Sequence, residues 1–65
     1  MDSKIIEVLM SKLRERQVEF QQVLCDGGAK SYDHYKELSG TIRGLQLAQM
    51  ELHDLERKLK DFEDD

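Results

Sequence analysis

The sequence predicts an all-α fold, an antiparallel two-helix hairpin with a longer second helix and a stripe suited to a coiled-coil oligomer. Three observations carry that prediction. Apolar residues recur at steps of three and four through two long segments. A pair of adjacent glycines, Gly27 and Gly28, interrupts the recurrence once. Proline is absent from the 65 residues, so nothing else obliges a helix to stop.

The first helix is expected over residues 3 to 24. Ser3 or Asp2 can cap it, and Glu7 lies near a first turn where negative charge is favoured. Ile6, Leu9, Leu13, Phe20 and Val23 form its apolar stripe, widened by Ile5, Met10 and Leu24. Arg16 and Gln17 interrupt that stripe, with their stems expected along the seam and their polar ends outside. The turn is expected over 25 to 30. There Gly27 and Gly28 can occupy left-handed conformations without steric cost, which closes the helix in a Schellman or αL cap. One long helix kinked at the glycines is the alternative, and two adjacent glycines make it a poor interior.

Ser31 supplies an N-cap hydroxyl for the second helix, expected over 31 to 62, with Asp33 in its first turn. The apolar positions are Tyr35, Leu38, Ile42, Leu45, Ala48, Leu52, Leu55, Leu59 and Phe62, alternating as a heptad seam from Leu45 onward. The whole chain, residues 1 to 65, is therefore read as a single helical-hairpin domain. At 1.5 Å per residue the helices measure about 33 and 48 Å. Folding at the glycines brings Phe20 to Tyr35 and Leu38, Leu13 to Ile42, Leu9 to Leu45, and Ile6 to Ala48 and Gln49. On that register the first helix runs out near Leu52. Leu52, Leu55, Leu59 and Phe62 then form an interaction stripe, its last three residues overhanging. The alternative is a frayed end with ordinary surface leucines.

Gly40, Gly44 and Ala48 form a ridge of small residues at a spacing of four. Such a ridge admits close helix approach, from the first helix near Met10 and Leu13 or from another chain, unless the glycines are merely surface residues. Thr41 beside it is placed to donate its hydroxyl to a preceding carbonyl.

Composition restricts function. A chain this short buries only about 60% of its unfolded surface, so assembly is the natural source of further buried area. Cys25, the single cysteine, has no partner within the chain and fits a reducing compartment. Charged residues make up 37% of the chain, 14 acidic against 10 basic, for a net charge of −4. That balance is poorly suited to gripping a phosphate backbone, and no direct nucleic-acid partner is expected. No apolar run suits a signal peptide or a membrane span, so cytoplasmic synthesis and no membrane partner are expected.

Catalytic and metal-binding patterns are sparse. Cys25 and His34 flank the turn, but no orienting carboxylate and anion pocket complete a nucleophilic site. His34 and His53 lie 19 residues apart on one helix, about 28 Å, too far to share a metal within one chain. The carboxylates Glu7, Glu15, Glu19, Glu37, Glu51 and Glu56 read as a solvated helix surface, since two helices enclose too little volume to desolvate an acid. No catalytic residue, cofactor or metal is expected.

The segments Gly27-Gly28-Ala29-Lys30-Ser31-Tyr32, then Tyr35, and Gly40-Thr41-Ile42-Arg43-Gly44-Leu45 followed by Ala48 resemble small helical-hairpin proteins of tailed bacteriophages. The resemblance covers roughly residues 20 to 55. It implies a virion structural or assembly role, in the host cytoplasm or incorporated into the virion, and assigns no catalytic residue. Within it Tyr35 would pack beside the turn, and Arg43 would pair with a carboxylate or stand as an exposed charge. The function expected is a non-enzymatic protein–protein interaction module, whose partner is itself or a larger phage or host protein. The alternative is a small acidic regulator or inhibitor of a host or phage nucleic-acid-processing enzyme.

Overall fold

A computed structural model describes residues 3–63, and side-chain exposure for residues 4–61. Two helices pack along one another: α1, Ser3–Cys25, of 23 residues, and α2, Tyr32–Glu63, of 32 residues. Both begin and end within a residue or two of the expected bounds.

The turn explains where α1 stops. Gly27 adopts φ +71°, and its N–H donates to the Leu24 carbonyl at 3.1 Å while the Gly28 N–H donates to the Val23 carbonyl at 2.7 Å. Those two crossed bonds are the Schellman motif, which resolves the two cap types the sequence allowed. Gly28 is required for a different reason. A Cβ there would stand 2.7 Å from Val23 Cγ1 and 2.9 Å from the Val23 carbonyl oxygen.

At the start of α2 the Ser31 hydroxyl accepts the His34 N–H at 3.0 Å, and the Ser31 carbonyl accepts the first helical bond from Tyr35. His34 reaches back and accepts the Lys30 N–H on Nδ1 at 3.1 Å. The arrangement works as a capping box in which histidine takes the place usual for Glu or Gln, and the bond lands one residue earlier.

The packed seam is a heptad in both helices. Ile6, Met10, Leu13, Gln17, Phe20 and Leu24 are buried or half-buried, as are Leu38, Ile42, Leu45, Gln49, Leu52, Glu56 and Leu59. Each series alternates steps of four and three, placing Ile6, Leu13, Phe20, Leu38, Leu45, Leu52 and Leu59 at d positions. The others occupy a positions. Among the described residues Ile6 and Leu38 are the two that are buried, at 2% and 7% exposure.

The register differs from the one expected. Gln49 Nε2 donates to Gln17 Oε1 at 2.6 Å, which fixes those residues at one level. Seven residues turnward, Leu24 comes level with Ile42. Eleven residues the other way, Ile6 comes level with Leu59 and Lys60, and fourteen away Ser3 comes level with Glu63. These levels hold to within about one turn, or ~5 Å. The burial of Ile6 and Leu59 agrees with them, and so does the groove in which Glu7, Met10, Ser11 and Arg14 face Gln49 and Glu56. Leu59 therefore does not overhang.

The link consumes the expected difference in length. The cap holds 26–28 against α1, and the rest of the link runs back beside the first turns of α2. Gly28 and Ala29 are half-buried there, at the level of buried Leu38. A six-residue link reaches up to about 20 Å, enough for the ~15 Å between Tyr32 and Ile42. The long dimension of the molecule, 52 Å, is little more than that of α2 itself.

Candidate interaction surface

A heptad pair has two sides. In antiparallel pairing the g positions of both helices line one side and the e positions line the other. Here the e side is polar throughout: Glu7, Arg14 and Gln21 on α1, with Ser39, Gln46, His53 and Lys60 on α2. The neighbouring a positions add Gln17, Gln49 and Glu56. The polar groove that Glu7, Ser11 and Arg14 share with Gln49 and Glu56 lies on this side. The Oε2 atom of Glu56 is buried and accepts no hydrogen bond.

The g side has the opposite character. It carries Leu9, Arg16 and Val23 on α1, with Thr41, Ala48 and Leu55 on α2. Leu9 is 44% exposed, Val23 37% and Leu55 38%. Ile5, one position further out, is 62% exposed and extends the patch toward the end where Ser3 meets Glu63. Arg16 is the one charged residue in these columns, and it pairs with Glu19 of its own helix at 3.3 Å. Behind Leu9 and Leu55 lie the d leucines of the seam.

This geometry redistributes the sequence-predicted interaction residues. Leu52 and Leu59 are half-buried in the seam between the helices, so they are intramolecular packing residues. Leu55 points to the g side. The side chain of Phe62 lies outside the described residues, although its heptad position continues the column of Ala48 and Leu55. The sequence pattern puts Leu9, Val23, Ala48 and Leu55, all in the g column, on one stripe with the d residues and with Tyr35 and Ile42. The chain instead pairs d with a, and the g column remains uncovered in both helices.

The small-residue ridge is not packed on α1. A Cβ added at Gly40 or Gly44 would meet nothing within 4 Å, so neither glycine serves the contact with Met10 and Leu13. Only Ala48 is half-buried. Thr41 donates to the Glu37 carbonyl at 3.0 Å, the local bond expected of it.

The turn end holds features the sequence reading missed. Tyr35 does not pack into the hairpin; it is 49% exposed and stacks on Tyr32 at 6.4 Å between ring centroids. Lys36 Nζ lies 5.5 Å from the Tyr32 ring centre, and Arg43 lines the same groove. A Tyr-x-x-Tyr-Lys run at the start of a helix was the available signal, since residues three apart share a face.

Cys25 is a free, exposed thiol, and the Nδ1 of His34 is engaged in the cap. Among the described residues no three His, Cys, Asp or Glu converge as a metal site requires, and no helix is long and apolar enough to cross a membrane. Comparison with protein-family models, curated proteins and solved structures finds no match to this chain.

Proposed function

We propose that this chain is a non-enzymatic helical interaction module that works by burying the g side of its hairpin against a protein partner. The observation that carries the reading is the asymmetry of the two sides. One is polar at its e positions from Glu7 to Gln21 and from Ser39 to Lys60, while the other presents Leu9 and Leu55 to solvent at one level and Val23 two heptads away. Exposed apolar residues scattered singly need no explanation, but Leu9 and Leu55 side by side on the two helices, with Ile5 next to them, mark a contact surface.

A role as a virion structural or accessory component, made in the host cytoplasm, follows from the resemblance of the Gly27 to Tyr32 and Gly40 to Leu45 segments to tailed-phage hairpin proteins. The net charge of −4 favours a second reading, a regulator seated on a basic surface of a nucleic-acid-processing enzyme. Recovery of the chain in fixed stoichiometry with purified virions supports the structural role. Capture of a host polymerase or nuclease without virion incorporation supports the regulator. If Leu9→Glu with Leu55→Glu leaves every such association intact, the g side is not the working surface.

A further inference from the structure

Resting on that reading, we infer that the first occupant of the g side is a second copy of this chain, packed face to face to close a four-helix bundle. The surface area argues for it. A folded monomer of this mass exposes about 4,300 Å² by the usual scaling of area with mass. This chain exposes 5375 Å². The excess, about 1,100 Å² over the whole 52 × 16 × 14 Å rod, is enough to supply the ~800 Å² that each partner contributes to an interface of standard size. A slab two helices thick has no third layer over either broad side, and the e side, although Val18 and Met50 stand exposed at its rim, is polar in the columns nearest the seam. The apolar g side is where area can be removed from water.

Charge argues for a like partner. The chain as a whole carries −4, so two copies repel unless the meeting faces are locally neutral. The rim of this side holds Lys12, Arg16 and Lys58 against Glu19, Glu37 and Glu51, three charges of each sign. The acidic excess lies elsewhere. Two such faces carry no net charge into the contact, and a two-fold arrangement is the commonest way for a chain to bind itself. In that assembly the d residues of four helices share one core, as a bundle requires. Gly44, at the outer edge of α2 on this side, leaves room for the neighbouring helix, since no side chain of its own chain fills that space.

The test is the solution mass of the full 65-residue chain, measured by light scattering or sedimentation across a wide concentration range. The expected result is a particle of twice 7.6 kDa at micromolar concentration, whose melting temperature rises with protein concentration. Leu9→Glu with Leu55→Glu is expected to weaken dimerisation by about 100-fold or more while circular dichroism stays helical. Val18→Glu with Leu47→Glu, on outward positions, is expected to leave the dimer unchanged. A wild-type chain that stays at 7.6 kDa, with a melting temperature independent of concentration, overturns the inference. So does a Leu9/Leu55 variant that remains dimeric. Should that variant unfold, the concentration dependence of wild-type melting decides alone. A monomer that still binds another protein through Leu9 and Leu55 would end the self-association model and leave the interaction reading standing.

Discussion

Gln49 reaches across the hairpin to Gln17, 32 residues away in sequence, and the same amide nitrogen also donates to the Leu45 carbonyl of its own helix at 3.1 Å. This pair is a polar layer in the middle of a seam that is apolar elsewhere except at Glu56. Either helix could slide by a heptad and still match leucine to leucine, but only one alignment brings the two amides together. A polar residue at an a position sets register in this way at some cost in stability.

Replacing both glutamines by leucine is therefore expected to raise the melting temperature, at matched protein concentration, by several degrees. The same change should broaden or multiply the amide resonances as alternative registers become populated. A double-mutant cycle through Gln17→Ala and Gln49→Ala should return a coupling of about 0.5 kcal/mol or more. Additive effects with a sharp single spectrum would show that the pair sets nothing.

Glu56 occupies an a position where its helix faces Met10, with one carboxylate oxygen buried and unbonded. Glu56→Leu is expected to stabilise the hairpin by about 1 kcal/mol, because a half-buried carboxylate is exchanged for apolar contact. A lower melting temperature in thermal unfolding would mean that the carboxylate makes a stabilising contact.

The two turn glycines are expected to fail differently. Gly28→Ala drives a methyl group against the Val23 backbone and should cost at least about 1 kcal/mol, with Gly28→Ser no better. At Gly27, where φ is +71° and space is open, alanine should cost about 1 kcal/mol and asparagine less. Equal tolerance of Ala and Asn at Gly27 in denaturant titrations would contradict the left-handed assignment.

Gly40 and Gly44 invert that expectation for the hairpin itself. Each stands in open space inside a helix, so Gly40→Ala should stabilise by up to ~1 kcal/mol through helix propensity alone. Gly44→Leu should leave hairpin helicity intact and act only on what docks at the g side. Loss of helix in either variant would indicate a contact that the geometry does not contain.

At the start of α2, Ser31→Ala removes the acceptor of the His34 N–H and should cost about 1 kcal/mol. His34→Ala should cost less, since the Lys30 N–H is exposed and can turn to water. A larger loss from His34 than from Ser31, measured by thermal melting, would reverse the assigned order.

Much of the fold was legible in the sequence because its signals are local. Gly27, Gly28 and Ser31 act within four residues of themselves, and the periodicity of each helix is visible along a single strand of text. The register was not legible. It depends on how much length the link spends running back past Leu38, and glycine-rich segments do not announce their path. The seam was misassigned for a related reason. Hydrophobicity alone ranks Leu9, Val23, Ala48 and Leu55 above Gln17, Gln49 and Glu56, yet one neighbouring helix can cover only one pair of columns. Of the residues that looked like the seam, Leu9, Val23 and Leu55 are left facing outward.

The level ends of the two helices dictate how the molecule can be handled. Because Ser3 and Glu63 finish together, a fluorophore or surface anchor attached at either of those two positions emerges from the same pole, about 45 Å along the rod from the stacked tyrosines. Immobilised that way, the rod stands upright with its loop end turned away from the support.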